Sequence, residues 1–493
     1  MAEPQLPENL AGLRIHLVGA KGTGLAALAE ILAASGAILS GSDVADVFYT
    51  DAILARIGVD MKVGFEAGHL APGLALVIHS AAYRRDQNPE LLEAGRRGIP
   101  ILSYPEALGA LSRRYDSSGI AGVHGKTTTT AMAGSLLAGL GLPATILAGS
   151  AVASFGGRST LMAGDKYFVA ETCEYRRHFL SFRPRRIVLT SVESDHQDYY
   201  PTYADILEAF VEYAMLLPEG GRLIYCADDP GACEAADRVC SLRPDIAFSP
   251  YGRKARGPFR IADYRVGNGK AEFRLEGLDA DFELHVPGEH LALDAAAAIA
   301  LASAIHDDHH NSKGMSALEL GALKAALAAF SGSKRRSEIL GEAGGVLFMD
   351  DYGHHPTAIR DTIRGVKEFW PDRRVVVDFM SHTYSRTKAL FGEFSSCLDE
   401  ADIVIMHKIY ASARENPDPG VSGSSLFEAA SRSRAAAGRG GEGKTLYFEE
   451  PLGALGAAGA LLRPGDLFLT MGAGDNWKLG AALLEALGKD KAR

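Results

Sequence analysis

Apolar and polar positions follow a strand–helix rhythm along most of this chain, and the rhythm breaks once in the middle. From residue 13 short apolar runs alternate with helix-period segments: LRIHLVG (13–19), a helix over about 23–34, AILSGSD (37–43), LALVIHSA (74–81) and IPILSY (99–104). Strands that return through helices make a parallel sheet covered by helices, an α/β fold. A second set opens near Ser118, with strands expected at IAGV (120–123), YFVAET (167–172), RRIVLTSV (185–192) and GRLIYCADD (221–229). Over 259–287 the alternation changes character, and Gly-Asn-Gly at 267–269 suits a tight hairpin, so a small β-rich extension is expected. Two alanine-rich helices follow (290–305 and 316–330), and the polar stretch SGSKRR (331–336) reads as a linker or hinge. A third α/β set comprises RRVVVDFM (373–380), a helix near 387–401, DIVIMH (402–407), KTLYFEE (444–450) and DLFLTMGAG (466–474). The tract SRSRAAAGRGGEGK (431–444) is read as an exposed loop. Three domains are expected, at 1–117, 118–331 and 332–493.

Composition narrows the classes. A chain of 493 residues can bury more than one core, and 47% apolar with 23% charged residues is the mixture of a soluble enzyme. The net charge of −10 argues against nucleic-acid partners. The longest apolar run, LAALAEILAASGAIL (25–39), is broken by Glu30 and Gly36, so no membrane insertion is expected. The opening MAEPQLPENL lacks a basic and an apolar leader region, and the five cysteines (Cys173, Cys226, Cys233, Cys240, Cys397) have no metal-type spacing. These features suit a cytoplasmic protein, monomer or homodimer, whose partners are small molecules.

The chemistry begins at IAGVHGKTTTTAM (120–132). The usual phosphate loop, G-x-x-x-x-G-K-[ST], opens on a glycine further from its lysine than here, where the glycine is Gly122 and Ala121 precedes it. The stretch follows a strand and precedes a helix, so the backbone N–H groups of Gly122, Val123, His124 and Gly125 converge with the helix terminus on an anion. Lys126 can reach the β- and γ-phosphates of ATP, and Thr127 or Thr128 can offer a hydroxyl to Mg²⁺. A plain glycine turn would leave GKTTTT without a reason. Glu171, at the end of YFVAET, and VESDHQD (192–198), which carries Glu193 and His196, stand at strand carboxyl ends, where ligands of parallel sheets gather. These strand ends therefore present Thr127, Glu171, Glu193 and His196 to one crevice, where they could supply ligands to Mg²⁺.

A second glycine loop, GAKGTGLAA (19–27), fits the loose dinucleotide fingerprint through Gly22, Thr23 and Gly24, with Asp43 about 20 residues on. It would suit NAD or the diphosphate of a nucleotide sugar. An NAD-dependent oxidoreductase leaves GKTTTT idle, whereas two phosphate loops in one chain favour a ligase that brings a nucleotide-linked substrate to ATP.

Over nearly its whole length the sequence resembles the Mur ligase family. The stretches that carry the likeness include GAKGTG (19–24), SGSD (40–43), HSAAYRRDQNPE (79–90), GVHGKTTTTAM (122–132), VAETCEY (169–175), VESDHQD (192–198), PGEH (287–290), GSKRRSE (332–338), MDDYGHHPTAI (349–359) and SHTYSRTKALFGEF (381–394). DDYGHHP with HTYSRT points to the alanine-adding branch, and the helix before GRLIYCADD lacks the lysine that later members of the family carbamylate. The resemblance implies a Rossmann-like N-terminal domain for a UDP-sugar, held by Gly22, Thr23, Gly24, Ser42, Asp43 and Ser80. It implies a central P-loop ATPase-like domain, and a Rossmann-like C-terminal domain whose Tyr352, His354, His355, His382 and Arg386 line an amino-acid pocket, with Arg386 gripping the carboxylate. His290, Arg336 and Asp351 would join the ATP site, and Lys126, Glu171, His196 and Arg386 would carry catalysis.

The implied reaction phosphorylates the lactyl carboxylate of UDP-N-acetylmuramate with ATP and passes the acyl group to L-alanine. The near alternative is the ligase that reattaches recycled tripeptide to the same sugar. Three places depart from the family pattern: Ser191 where Asn is common, Thr383 where Arg is common, and His290-Leu291…Asp294 where the adenine segment usually reads HN…N. HDDHHN (306–311) looks metal-like but matches no motif of the family and is expected to be a solvated loop between two helices.

Overall fold

A computed structural model of the chain describes residues 6–267, 269–411, 415, 418–441 and 444–489. The chain forms two compact units, Met1–Val192 with Leu207–Phe259 and Ala297–Ala326, and Glu193–Ile206 with Arg260–Ala296 and Leu327–Arg493. Its architecture is three-domain α/β, with one large sheet for each set of strands expected from the sequence.

In the first unit the N-terminal sheet is all parallel, in the order Asp60–Val63, Ile38–Asp43, Arg14–Val18, Leu76–His79, Ile101–Ser103. Val18 lies beside Ser42 and His79, so three carboxyl ends finish level where the Gly19 loop turns. Helix Thr23–Ala34 is buried without interruption from Leu25 to Leu32. Such all-round burial needs cover on more than one side. The strands Ala144–Val152 and Arg158–Met162 pack on it as well, and buried Glu30 accepts hydrogen bonds from Ser159 N and Thr160 Oγ1.

The central sheet of this unit runs Ala247–Gly252, Arg222–Cys226, Arg186–Leu189, Asp116–Ala121, Tyr167–Glu171, Ala144–Val152, Arg158–Met162, parallel except for the last. The strand expected at 120–123 begins earlier and stops at Ala121, because Gly122 turns out of the sheet at φ +141°. The alanine-rich segment continues to His310, so most of HDDHHN lies in a helix rather than a solvated loop. Its side chains earn that extension by contact: Asp308 pairs with Arg186, and His309 Nδ1 is 3.2 Å from both Lys166 Nζ and the Tyr167 hydroxyl.

In the second unit, Phe259–Gly267, Lys270–Leu275 and Ala280–Leu284 form the expected antiparallel extension, although Asn268 of the hairpin lies outside the described residues. The C-terminal sheet has the order Glu338–Ala343, Val346–Asp351, Asp466–Met471, Arg374–Phe379, Ile403–Met406, Thr445–Tyr447, and only its first strand is antiparallel. The helix expected near 387–401 is instead two short ones, Tyr384–Ala389 and Phe391–Ser396, because Leu390 leaves helical geometry at φ −110°, ψ 28°. Nor is 431–444 simply a loop. Helix Gly423–Ala436 takes its first six residues, opened by a Ser422–Ser425 capping box and anchored by fully buried Arg434, which donates to the Leu398 carbonyl at 2.5 Å; residues 442–443 lie outside the described ones. The stretch 331–336 is a pinned turn. Arg335 sits at φ +59° while its guanidinium holds Asp350 and the carbonyls of Gly472 and Gly474.

Candidate active site

The phosphate loop joins strand Asp116–Ala121 to helix Lys126–Gly139. Neighbouring strand ends fix its path: Thr190 Oγ1 donates to the carbonyls of Ala121 and His124, Ser191 Oγ accepts from His124 N at 2.9 Å, and Ser191 O accepts from Val123 N. A Cβ on Gly122 would lie 2.0 Å from Thr190 Oγ1, which explains a glycine here and not at 121. Gly125 takes φ +77° and the helix starts with no side-chain cap, so its first N–H groups face an incoming anion. Lys126 Nζ bonds the Gly122 carbonyl at 2.5 Å and lies 3.1 Å from Glu174 Oε2. Burial, the largest influence, presses this ammonium's pKa down, but the carboxylates of Glu174 and then Glu171 outweigh it and hold Lys126 above its ordinary value. Thr127 Oγ1 donates to Glu171 Oε2 at 2.7 Å. Gly149 makes room for that pair, since a Cβ there would stand 2.2 Å from Glu171 Oε2 and 3.0 Å from Thr127 Oγ1. Thr128 is buried one step further along the helix.

The first glycine loop lies in the same unit. Gly19 (φ +77°) fits under Tyr83, and Gly24 fits under Tyr104, whose ring would come within 2.7 Å of an added Cβ. Tyr104 links the two loops: desolvation first, then the charge of Glu171, raises its phenol. Gly22 caps helix Thr23–Ala34 without a side-chain bond. Asp43 braces the loop by accepting from Lys21 N at 2.7 Å, and Ser42 is fully buried with its hydroxyl donating to Glu90 at 2.5 Å. Ser80 Oγ accepts from Ala82 N.

The second unit gathers the other expected residues. Asp195 and His196 follow the strand end in sequence, with His196 at φ +53°. Arg386 Nε and Nη2 donate to the two oxygens of Asp195 at 2.8 and 3.3 Å, and both residues are buried. Although burial opposes ionisation, Arg386 and then His196 hold the Asp195 carboxyl well below the usual range. His382 Nδ1 is 3.3 Å from Arg386 Nη1, and the His354 ring lies 5.9 Å from that of His382 and 5.2 Å from that of Tyr352. Burial, followed by the charge of Arg386, pushes His354 well below the ordinary imidazole range and His382 down to about 4. His355 caps helix Pro356–Phe369, and its Nδ1 is 3.6 Å from Glu193 Oε2. Asp351 accepts from Ser337 N and Gly353 N, each at 2.7 Å, and burial raises its pKa against the pull of Arg336. Arg336 lies over the Tyr352 ring, and His290 packs on Gly288 (φ +123°). Leu291 and Asp294 are both buried in the helix that follows.

Three family models account for most of this chain: the catalytic domain of the Mur ligase family over residues 14–116, the Mur ligase middle domain over 120–302, and the Mur ligase glutamate ligase domain over 335–474. A UDP-N-acetylmuramate–L-alanine ligase from Treponema pallidum is 51% identical over 483 residues, covering 98% of both chains. The chain belongs to the Mur ligase family. A protein of the same name from Borreliella burgdorferi is 39% identical over 94% of this chain and 97% of its own. Among solved structures, UDP-N-acetylmuramate–alanine ligase from Thermotoga maritima shares the fold at TM-score 0.75 and 23% identity, over 98% of this chain and 100% of that one. MurF ligase from the same organism, in complex with ADP, does so at 0.57 and 16%, over 92% and 95%.

In this Mur ligase the structure brings Lys126, Thr127 and Glu171 together in one unit and Tyr352, His354, His382, Arg386 and His355 in the other. His196 belongs to the second unit with Asp195. Sequence reasoning passed over Glu174, whose only signal was a second glutamate three residues after the first in ETCE. It also missed Gly149, Tyr104 and Asp195. The donor set of the first unit fits Mg²⁺, a hard ion that takes oxygen ligands: the Thr127 hydroxyl meets the Glu171 carboxylate beside a glycine whose side chain would fill the space, and the Glu174 carboxylate meets the lysine.

Proposed function

We propose that this chain is the ATP-dependent ligase that joins L-alanine to the lactyl carboxylate of UDP-N-acetylmuramate, in the cytoplasm, as a step of peptidoglycan precursor synthesis. The observation that carries the reading is 51% identity, end to end, with a ligase of that name. The geometry supports it chemically. A carboxylate oxygen of the sugar attacks the γ-phosphorus of ATP, the bond to the β–γ bridging oxygen breaks, and ADP leaves an acyl phosphate. The alanine amine then attacks the acyl carbon, inorganic phosphate departs, and a proton is lost from nitrogen.

Charge must be neutralised at the γ-phosphate, and this is the task of Lys126 and the loop N–H groups. Mg²⁺, when held by Thr127, Glu171 and Glu174, would supply additional positive charge there. Glu174 keeps Lys126 protonated and aimed at the loop until a phosphate takes its place. In the amino-acid pocket Arg386 would bind the alanine carboxylate, and the neutral imidazoles of His354 and His382 suit the loss of a proton from the amine. Gly22, Thr23, Gly24, Asp43 and Ser80 would border the UDP moiety, with His290, Arg336 and Asp351 contributing to the nucleotide site. We place the domain boundaries at 117/118 and 331/332, and expect a monomer or homodimer. Phosphate release with UDP-N-acetylmuramate, ATP and Mg²⁺, screened across amino acids, tests the reading. L-Alanine should be the best acceptor, and turnover with the recycled tripeptide alone would replace this proposal with the recycling ligase.

A further inference from the structure

The tract His306–His310 has no part in that reaction. His306 and His310, four residues apart on the last turns of helix Glu289–His310, share one face, with ring centroids 4.5 Å apart. Helix Ala317–Ala328 carries Glu319 to the same place, where Oε1 lies 2.9 Å from His306 Nε2. One ligand atom from each of the three residues lies within 4.8 Å of the others. The carboxylate cannot swing freely, because its second oxygen accepts from Ser316 N at 2.7 Å and Ser316 Oγ at 2.6 Å. The His306 ring is also fixed: its side chain is 3% exposed, and its buried Nδ1 makes no hydrogen bond, facing Asp307 Oδ1 at 3.5 Å. Asp308 and His309 turn to Arg186, Lys166 and Tyr167 and leave this face open.

We propose that His306, His310 and Glu319 form a binding site for a divalent transition-metal ion of the zinc class, apart from the catalytic Mg²⁺. Two imidazoles and one carboxylate are a three-ligand zinc set with a fourth position for water. Imidazole donors favour Zn²⁺, Co²⁺ or Ni²⁺ over Mg²⁺ and Ca²⁺. The spacing is suitable, since ligand atoms about 2.0–2.1 Å from a tetrahedral ion lie roughly 3.3 Å apart, slightly more than the present His306–Glu319 bond. An ion entering here takes the Nε2 lone pair of His306, so the proton shared with Glu319 leaves Nε2 and the ring carries its one N–H on Nδ1, facing Asp307, the outer partner that fixes a ligating imidazole. It would clasp the ends of two helices across the loop 311–316.

The test uses the full chain, stripped of metal and free of nucleotide, titrated with Co²⁺. One equivalent should give the visible band of a four- or five-coordinate ion, Zn²⁺ should displace it, and Glu171→Gln should retain it. His310→Ala removes an exposed ligand and should abolish the band and weaken Co²⁺ binding at least about tenfold, while ligase activity with Mg²⁺ is unchanged. Glu319→Gln keeps a hydrogen-bonding partner for His306 and should lose affinity similarly. A wild-type chain without the band, or either site variant binding Co²⁺ as the wild type does, would overturn the proposal.

Discussion

The phosphate cradle and the amino-acid pocket handle charge in opposite ways. In the cradle a buried lysine is kept cationic by two glutamates, and the backbone is shaped by glycines that no other residue could replace without collision. In the pocket one guanidinium gives Nε and Nη2 to a buried aspartate and turns Nη1 to His382, and the imidazoles around it are held neutral. In the proposed reaction the first region would receive an anion of high charge and the second a small zwitterion whose amine must lose a proton. The cradle's loop and helix are contiguous in sequence, and its glutamates come from within 48 positions; the pocket draws on residues 191 positions apart.

The sharpest way to break the contrast is to remove the cradle's cation. Lys126→Ala should lower kcat by about 10³-fold, the effect of deleting a main stabiliser of transition-state charge, while leaving UDP-sugar binding intact; phosphate release and equilibrium binding would measure the two separately. Next comes Asp195→Ala, which leaves Arg386 buried without its partner. A loss of about 3 kcal/mol in stability is expected, together with a raised KM for alanine; denaturant unfolding and steady-state kinetics would show whether Asp195 acts only on the pocket. Gly149→Ala should cost about 2 kcal/mol through overpacking and reduce turnover, because its Cβ would push on Glu171. Gly392→Ala, in a helix with nothing within 4 Å of the new Cβ, should be neutral or slightly stabilising, and a matching loss there would show that the Gly149 effect is not specific to the cradle.

The contrast also explains how much could be read in advance. GKTTTT was legible because strand, loop and helix are contiguous and the chemistry follows from their order. The strand Ala144–Val152 was not: ATILAGSAV lies largely buried, so it shows no alternation of the kind that marks a half-exposed strand. The helix through His306–His310 was cut short in the sequence reading because aspartates and histidines follow an alanine run. Contacts with Arg186, Tyr167 and Glu319 carry it on. The Arg386–Asp195 pair left no local trace at all, since no spacing rule connects a residue after a central strand with one in HTYSRT.

The contrast can also be tested through pH. His382 has a folded pKa of about 4, below its ordinary value, so between the two the unfolded chain binds more protons than the folded one. Stability from this group is therefore complete above about pH 6.5 and falls as pH drops toward 4. Asp195 acts lower on the scale: its depressed pKa gives stability above the ordinary aspartate range that is lost only as pH falls through the folded value. Thermal unfolding followed from pH 7 to pH 4 should show a decline that His382→Gln makes shallower, since glutamine cannot take up the proton in either state. An unchanged slope in that variant would mean that the imidazole keeps its ordinary pKa in the fold, and a steeper one that the fold holds it charged; either result would require the division between a cationic cradle and a proton-accepting pocket to be drawn elsewhere.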